Sequence, residues 1–418
     1  MDLLALAVPF FLLALVVELV VDHVRGTGFY RSNDAINSLS AGTLSTTFGY
    51  LTRIVPVSIW AYVLQGYALF DIDVSHFSFS GLGLLYWFIA LVSFDFFYYW
   101  YHRCGHEISI MWAAHSVHHQ SEDYNLSTAL RQTSTGFLFG WIFYLPLFIL
   151  GMPFEVFVTV NALDLIYQFW VHTQHVRRLG WLDRVFVTPS NHRVHHAQNE
   201  IYINRNYGGI FVLWDRLFGT FQDELDDEPV VFGVRKPLKS WNPFWANLQV
   251  YDYLLFDSIN TSRWQDKVAV WFRRTGWRPA DVEARYPKQK RMLASFSKFD
   301  PPVSQRFRRY VMGQFLIAVL AVLWIAGTFA VGGLEPVLIP CVLLWVTLYS
   351  LGLFNEGRPR CVHFEMLRLA LLLPIGFYWL LSGVGADWPQ SAVWSGLTVY
   401  CLASALILVT LDRQRNIE

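Results

Sequence analysis

Charge is what this chain has least of. Asp, Glu, Lys and Arg make up 15% of its 418 residues, against about 25% in an ordinary soluble domain. Long apolar runs, not a uniform rise in hydrophobicity, account for the shortfall and exclude a plain soluble enzyme. Basic and acidic residues balance at 32 each, so nothing electrostatic supports nucleic-acid binding. Cysteine is also scarce. Cys104, Cys341, Cys361 and Cys401 are far apart with no CxxC spacing, which argues against a disulfide framework, thiolate zinc or an iron–sulfur site. There is no P-loop and no Gly-x-Gly-x-x-Gly opening a helix after a strand, hence no nucleotide-binding module. His106-Glu107 is followed at 110 by Ile110 rather than histidine, so the HExxH of zinc proteases is missing. Leu3–Val21 lacks a basic leader and an A-x-A site, and reads as a membrane helix rather than a cleaved signal.

The apolar runs predict an all-α, polytopic membrane protein. At roughly 20 residues per span, the candidates are Leu3–Val21, Leu51–Phe70 with an amphipathic approach from Ile36, and Leu82–Tyr101. Phe137–Val171 is broken at Gly151-Met152-Pro153 into a helical hairpin. Tyr310–Val331, Pro336–Phe354, Arg368–Ser382 and Ala392–Leu411 follow. This divides the chain into N-terminal spans (1–81), a central region with a polar cap (82–309) and a C-terminal bundle (310–418). The bundle is expected to be a scaffold or dimer interface, with substrate-tunnel lining as the alternative.

Charge supports one topology. The turns Asp71–Gly81, Gly151–Pro153, Gly332–Glu335 and Gly383–Gln390 hold no Lys or Arg. The opposite side holds Arg25, Arg31, Arg103, Arg131, Arg358, Arg360, Arg413 and Arg415, plus 22 of the 32 basic residues within His172–Arg309. The positive-inside rule makes that side cytoplasmic. Arg53 alone sits awkwardly, near the start of a span. The stretch Trp264–Lys298, basic and bearing Trp264, Trp271 and Trp277, reads as a solvated helical face or as an attachment to anionic headgroups.

Ten of the 13 histidines lie between positions 102 and 196, all on the cytoplasmic side. They read His102-x3-His106, His115-x2-His118-His119, His172-x2-His175 and His192-x2-His195-His196. Ten imidazoles exceed the four-coordinate need of one zinc ion and fit two metals. Neutral nitrogen ligands with open positions suit non-haem iron. Zinc hydrolysis would leave most of them unexplained, and a transport path would spread them through the membrane depth. His23, His76 and His363 fall outside the pattern.

Helical geometry extends two of these groups. Asp95, Tyr99, His102 and His106 share one face, as do Asn161, Asp164, Gln168, His172 and His175 at 3-4-4-3 spacing. Asp95 and Asp164 are therefore expected to back the histidines and fix their tautomers, with Asn161 and Gln168 as further candidates. Interhelical hydrogen bonding unrelated to metal is the alternative.

Three stretches carry a family resemblance: Trp112-Ala113-Ala114-His115 through His118-His119 into Ser121–Gln132; Tyr167-Gln168-Phe169-Trp170 into His172-Thr173; and Thr188–His196 with Asn206-Tyr207-Gly208 and Trp214–Phe221. Through these the chain resembles the fatty acid hydroxylase and sterol desaturase superfamily of membrane di-iron oxygenases over Tyr86–Thr220. More narrowly, it resembles the alkylglycerol monooxygenase branch. The resemblance implies a helical membrane core under a cytoplasmic cap, with two irons between them. All ten clustered histidines become candidates for the metal site, most as direct ligands. It implies O2-dependent hydroxylation of a lipid C–H bond, at the carbon next to the ether oxygen if the lipid is an alkylglycerol, releasing a fatty aldehyde. A sterol, acyl lipid or aminolipid is the alternative substrate, and desaturation the alternative outcome; a zinc-dependent membrane hydrolase is the rival of another class. Electrons come from an external donor, tetrahydrobiopterin by analogy. Glu107 and Asn125 are implied as catalytic, with Tyr124 and Arg131 lining the approach. Asn191 and Asn204 stand where some relatives have histidine and aspartate; Asn191 could orient metal-bound water.

Overall fold

The computed structural model describes residues 3–288, 293–381 and 390–415. Among them every regular element is helical, and β pairing is limited to three isolated bridges. The helices are α1 (Leu3–Arg25), α2 (Ser32–Thr52), α3 (Ile54–Tyr67), α4 (Leu82–Glu107), α5 (Ser109–His119), α6 (Leu126–Ala129), α7 (Gly140–Ile149), α8 (Phe154–Trp170), α9 (Pro189–His195), α10 (Leu213–Leu217), α11 (Pro243–Asn260), α12 (Trp264–Phe272), α13 (Ala280–Arg285), α14 (Gln305–Gly332), α15 (Leu338–Asn355), α16 (Cys361–Leu381) and α17 (Gln390–Arg415). Six of these are long and apolar enough to cross a membrane, and up to seven if the α2–α3 pair, bent by 49°, counts as one span. The all-helical membrane architecture read from the apolar runs is thus observed.

The hairpin expected at Phe137–Val171 forms, but its first arm is short. Ten residues of α7 reach about 15 Å at 1.5 Å per residue, half the thickness of a bilayer core. Gly151 makes the turn at φ +90°, where a Cβ would lie 2.0 Å from the Phe70 carbonyl oxygen. Positions 383–389 of the expected turn, and 289–292 of the basic Trp264–Lys298 stretch, lie outside the described residues. Within that stretch Trp264 is exposed, whereas Trp271 and Trp277 pack against Ala113, Leu254 and Val270.

The chain divides into two compact units: 1–45, 52–238 and 246–298; and 46–51, 239–245 and 299–418. In the first, α4, α7 and α8 share a core of Phe94, Tyr144, Phe148, Val156, Phe157 and Val160, with Phe94 stacked on Tyr144 at 4.8 Å. α1 lies along α8 through Phe11 stacked on Phe169 at 4.2 Å. This apolar packing holds α4 and α8 side by side, with their polar stripes on adjoining faces.

The second unit is built on α14–α17 around a buried polar knot. Arg368 makes a bidentate pair with Glu365, Nε and Nη2 each at 2.7 Å. Tyr310 and Ser350 donate to the same carboxylate at 2.6 and 2.7 Å. Arg368 also donates to Thr347 and Tyr400, and Tyr400 donates to Gln314. Polar groups buried at such depth are tolerable only when satisfied by one another, and these join all four helices.

Candidate metal centre

Nine of the ten clustered histidines converge in two groups. His102, His106, His115, His119 and His195 form one; His118, His172, His192 and His196 form the other. Within each, the candidate ligand atoms all lie within 4.8 Å of one another. The groups adjoin: the rings of His119 and His196 stack at 4.2 Å, and those of His192 and His195 at 5.2 Å.

α4 supplies His102 and His106 from its last turns, below Asp95 and Tyr99 on one buried stripe. α5 supplies His115, His118 and His119. α9 supplies His192 and His195, with His196 at its C-terminal end, and begins with a capping box in which Thr188 and Asn191 bond reciprocally, with Pro189 at its first position. The His172–His175 pair departs from expectation. α8 ends at Trp170, so the stripe from Asn161 does not continue to His175. His172 remains over the helix end, its Nδ1 2.8 Å from the Gln168 carbonyl. His175 belongs to neither donor group and its ring lies 5.0 Å from that of Phe29.

Backbone carbonyls set the tautomers. The Nδ1–H of His102 donates to Tyr207 at 2.8 Å, that of His118 to Arg131 at 2.9 Å, that of His172 to Gln168, and that of His195 to Arg205 at 3.0 Å. A carbonyl only accepts, so these four rings carry hydrogen on Nδ1 and present a bare Nε2 to the cluster.

His118 and His172 then test whether the site suits a metal. Their Nε2 atoms lie 3.1 Å apart, yet in the neutral rings both are lone pairs, which repel. Protonation is opposed: burial, partly offset by the Arg131 carbonyl, lowers His118 to about 4, and burial with the neighbouring imidazoles holds His172 well below its usual range. A cation between them removes the conflict. The other Nε2 pairs, His102–His115, His115–His119, His172–His192 and His192–His196, span 3.0–3.2 Å. In the first group, Nε2 of His106 and of His195 is buried without a hydrogen-bond partner. Burial also lowers His195 to about 3. Neutral, desolvated imidazoles with unused lone pairs are the donor set a transition metal requires.

The carboxylates take other places than expected. Asp95 reaches no imidazole; it accepts from Ile210 N at 2.7 Å, Phe211 N at 3.2 Å and Trp214 Nε1 at 2.8 Å. Asp215 accepts from Tyr207 N and Gly208 N at 2.7 and 2.8 Å. Together they pin the loop whose Tyr207 carbonyl orients His102, so Asp95 is linked to His102 only through that loop. Gly209 lets this loop approach: a Cβ there would lie 2.6 Å from Asp164 Oδ1 and 2.8 Å from Asp95 Oδ1. Asp164 accepts from Gln168 Nε2, and Tyr98 donates to Gln168 Oε1, which steadies the helix end under His172. Asn161 instead lines an apolar cavity of about 620 Å3 with Arg53, Trp60, Trp141 and Tyr144.

Glu107 pairs with Arg103 at 3.1 Å. Asn125 caps α6 and donates to the Phe29 carbonyl at 2.8 Å. Both side chains are engaged in structure. Tyr124 stacks against His172 and against Phe232. Arg131 is buried, its side chain tied to Val117, Asn37 and Gln120. Asn191 serves the capping box, and Asn204 holds a left-handed turn at φ 59°, a conformation asparagine tolerates. Sequence reasoning missed Glu18, whose carboxylate accepts from Leu126 N and Thr173 Oγ1. It also missed Tyr207, whose buried hydroxyl has no partner beside His106.

The profile of the fatty acid hydroxylase family matches residues 87–220, the segment from α4 to the end of the Asp215 loop. Alkylglycerol monooxygenase of Homo sapiens is 35% identical over 380 residues, covering 89% of this chain and 82% of that protein. The chain belongs to the fatty acid hydroxylase family. It is an oxidoreductase of lipids, as that family's members are. The alkylglycerol monooxygenase of Xenopus tropicalis is 33% identical over 374 residues, 89% of this chain and 81% of the relative. An ornithine lipid hydroxylase of Rhizobium tropici is 34% identical over 143 residues, 32% of this chain and 41% of the relative. No solved structure matches. The fatty acid hydroxylase segment holds all nine converging histidines, whereas the match to the alkylglycerol monooxygenases runs far beyond it.

Proposed function

We propose that this protein is an O2-dependent membrane monooxygenase that hydroxylates the carbon next to the ether oxygen of an alkylglycerol, with nine histidines holding two iron ions. The observation that carries the substrate is the similarity to alkylglycerol monooxygenases over about four-fifths of their length. The facing lone pairs of His118 and His172 carry the metal.

Bound iron would supply the activation of O2 and the oxidation of the C–H bond. The chain's own residues do the rest. His102, His106, His115, His119 and His195 would hold one ion, and His118, His172, His192 and His196 the other. Tyr207, Arg131, Gln168 and Arg205 fix imidazole orientation through their carbonyls. The burial of these groups excludes water, and the stacked Tyr124 walls the second group. The aromatic cavity at Trp60, Trp141 and Tyr144 has the apolar lining that an alkyl chain would need.

The reaction consumes O2, two electrons and two protons, and yields the hydroxylated ether and water. The hydroxylated ether is a hemiacetal, which breaks down to a fatty aldehyde and glycerol. An external donor must supply the electrons; tetrahydrobiopterin is the first to test. The histidines would then face the cytoplasm, a reading that the charge asymmetry of the turns supports. The similarity to an ornithine lipid hydroxylase favours one second reading, hydroxylation of an aminolipid.

The deciding experiment is anaerobic purification with metal analysis, then a single-turnover O2 reaction with an alkylglycerol, scored for fatty aldehyde. Two irons per chain and O2-dependent aldehyde support the proposal. Iron without aldehyde, but with hydroxylated aminolipid, selects the second reading. An iron-loaded protein that consumes no O2 with any lipid and reductant refutes both.

A further inference from the structure

The second unit contains a cavity of about 710 Å3 where α15 gives way to α16. Its floor is apolar and aromatic: Trp245, Tyr349, Leu353 and Phe364. Its rim is cationic: Lys239, Arg358 and Arg360, all exposed. Both flanking helices are long and apolar enough to cross a membrane, so the 356–360 turn joining them falls at a membrane–water boundary.

The cavity is built by one buried carboxylate. Glu356 Oε1 accepts from Ser240 Oγ at 2.5 Å and from Trp241 N at 2.7 Å, which lays residues 240–241 across the end of α15. Gly352 permits that approach, since a Cβ would meet the Trp241 carbonyl oxygen at 2.6 Å. Glu356 Oε2 accepts from Arg358 Nε at 2.6 Å. The single carboxylate of the lining is thereby neutralised by one of the three cations, leaving Lys239 and Arg360 as net positive charge on the rim. Lys239 is held there with a left-handed backbone, φ 49°. This conformation is costly for a residue with a Cβ.

We infer that this cavity binds the headgroup of an anionic glycerophospholipid. Lys239 and Arg360 would face the phosphate, and the first part of an acyl chain would lie over Leu353 and Phe364. A dissolved phosphate needs cations but gains nothing from an aromatic floor. A zwitterionic headgroup would carry its own cation to the rim. The combination of two unneutralised cations, four apolar side chains and a position at the end of two spans fits an amphiphilic anion. The inference is independent of the chemistry at the histidines.

The test uses the full chain, purified in a neutral detergent and titrated with phosphatidylglycerol, phosphatidylcholine and inorganic phosphate. Binding is followed by native mass spectrometry and by the shift in thermal unfolding. Phosphatidylglycerol should bind and stabilise; the other two should do neither at equal concentration. The double variant Lys239→Gln/Arg360→Gln should bind phosphatidylglycerol roughly tenfold more weakly, and Lys239→Arg/Arg360→Lys should restore binding. Should the glutamine variant fail to fold, raising the salt with the native chain replaces it. Binding should then weaken as the ionic strength rises. Equal binding of phosphatidylcholine, full competition by inorganic phosphate, or binding indifferent to both salt and the substitutions would overturn the inference.

Discussion

Asp95 offers the sharpest perturbation of the centre, because it touches no histidine. Its carboxylate, fully buried, takes three hydrogen bonds from the 210–214 segment. Asp95→Asn is nearly isosteric, but it can accept on one oxygen only. If that oxygen keeps Ile210 N, the new amide nitrogen faces Phe211 N and Trp214 Nε1, donor against donors. Two charge-assisted bonds at about 1.5–3 kcal/mol each put the loss at about 3–6 kcal/mol. The segment they anchor leads back through Gly208 and Gly209 to Tyr207, whose carbonyl orients His102. Loosening an outer contact of this kind lowers metal affinity about 10–100-fold. The assay is iron per chain after dialysis against a graded chelator, beside the unfolding temperature. Asp95→Asn should release iron at lower chelator concentration and melt earlier. Iron retention and melting both equal to the native chain would refute the argument that the loop, not the carboxylate itself, governs the site.

Gly209→Ala should act through the same loop: its Cβ would press within 3 Å of both Asp164 and Asp95, and iron content after purification should fall while helix content by circular dichroism stays. Arg193 ties α9 to the 173–176 turn, donating to Thr173 and Val176 carbonyls and pairing with Glu224 at 2.7 Å. Arg193→Ala removes the guanidinium paired with Glu224, leaving only the more distant Arg178, and should cost about 1.5–3 kcal/mol, read as a lowered denaturation midpoint. For pH, burial puts His118 at about 4 in the folded chain against about 6.5 unfolded. The unfolded state therefore binds more protons, and stability falls as pH drops below 6.5, the loss being complete below about 4. That one group contributes about 3 kcal/mol at neutral pH. Metal-free protein should melt markedly earlier at pH 5 than at pH 7.5; a flat profile would contradict neutral buried imidazoles.

The spans and the histidine clusters were legible because each rests on side-chain type and spacing. An uninterrupted apolar run must be helical in a membrane, and His102 and His106 four apart must share a face. What holds the rings was not legible. Tyr207, Arg131, Gln168 and Arg205 act through backbone carbonyls, which every residue owns, so no residue type marks them. Glu18 meets residues more than a hundred positions away, a pairing no local spacing encodes. Asn125 and Asn191 are different. Each stands in a helix-start pattern, Asn125-x-x-Thr128 and Thr188-x-x-Asn191, and their capping role could have been read from the sequence. The stripe on α8 was extended too far because nothing in Trp170–His175 signals that the helix stops.

The pairing of Glu365 with Arg368 on one helix bears on how the C-terminal bundle is made. α16 has a mean hydropathy of 1.4 in its span window, against 2.4, 2.2 and 1.8 for the spans of α14, α15 and α17, so it is the least willing of the four to leave water. Its two charges are three residues apart and can neutralise each other before any other helix arrives. The helix therefore carries its own neutralised pair, and the hydroxyls of Tyr310, Ser350 and Tyr400 complete the hydrogen bonds around it. Separating that pair onto different helices, with composition unchanged, would leave each helix with an unpaired charge in the bilayer until its partner packed against it.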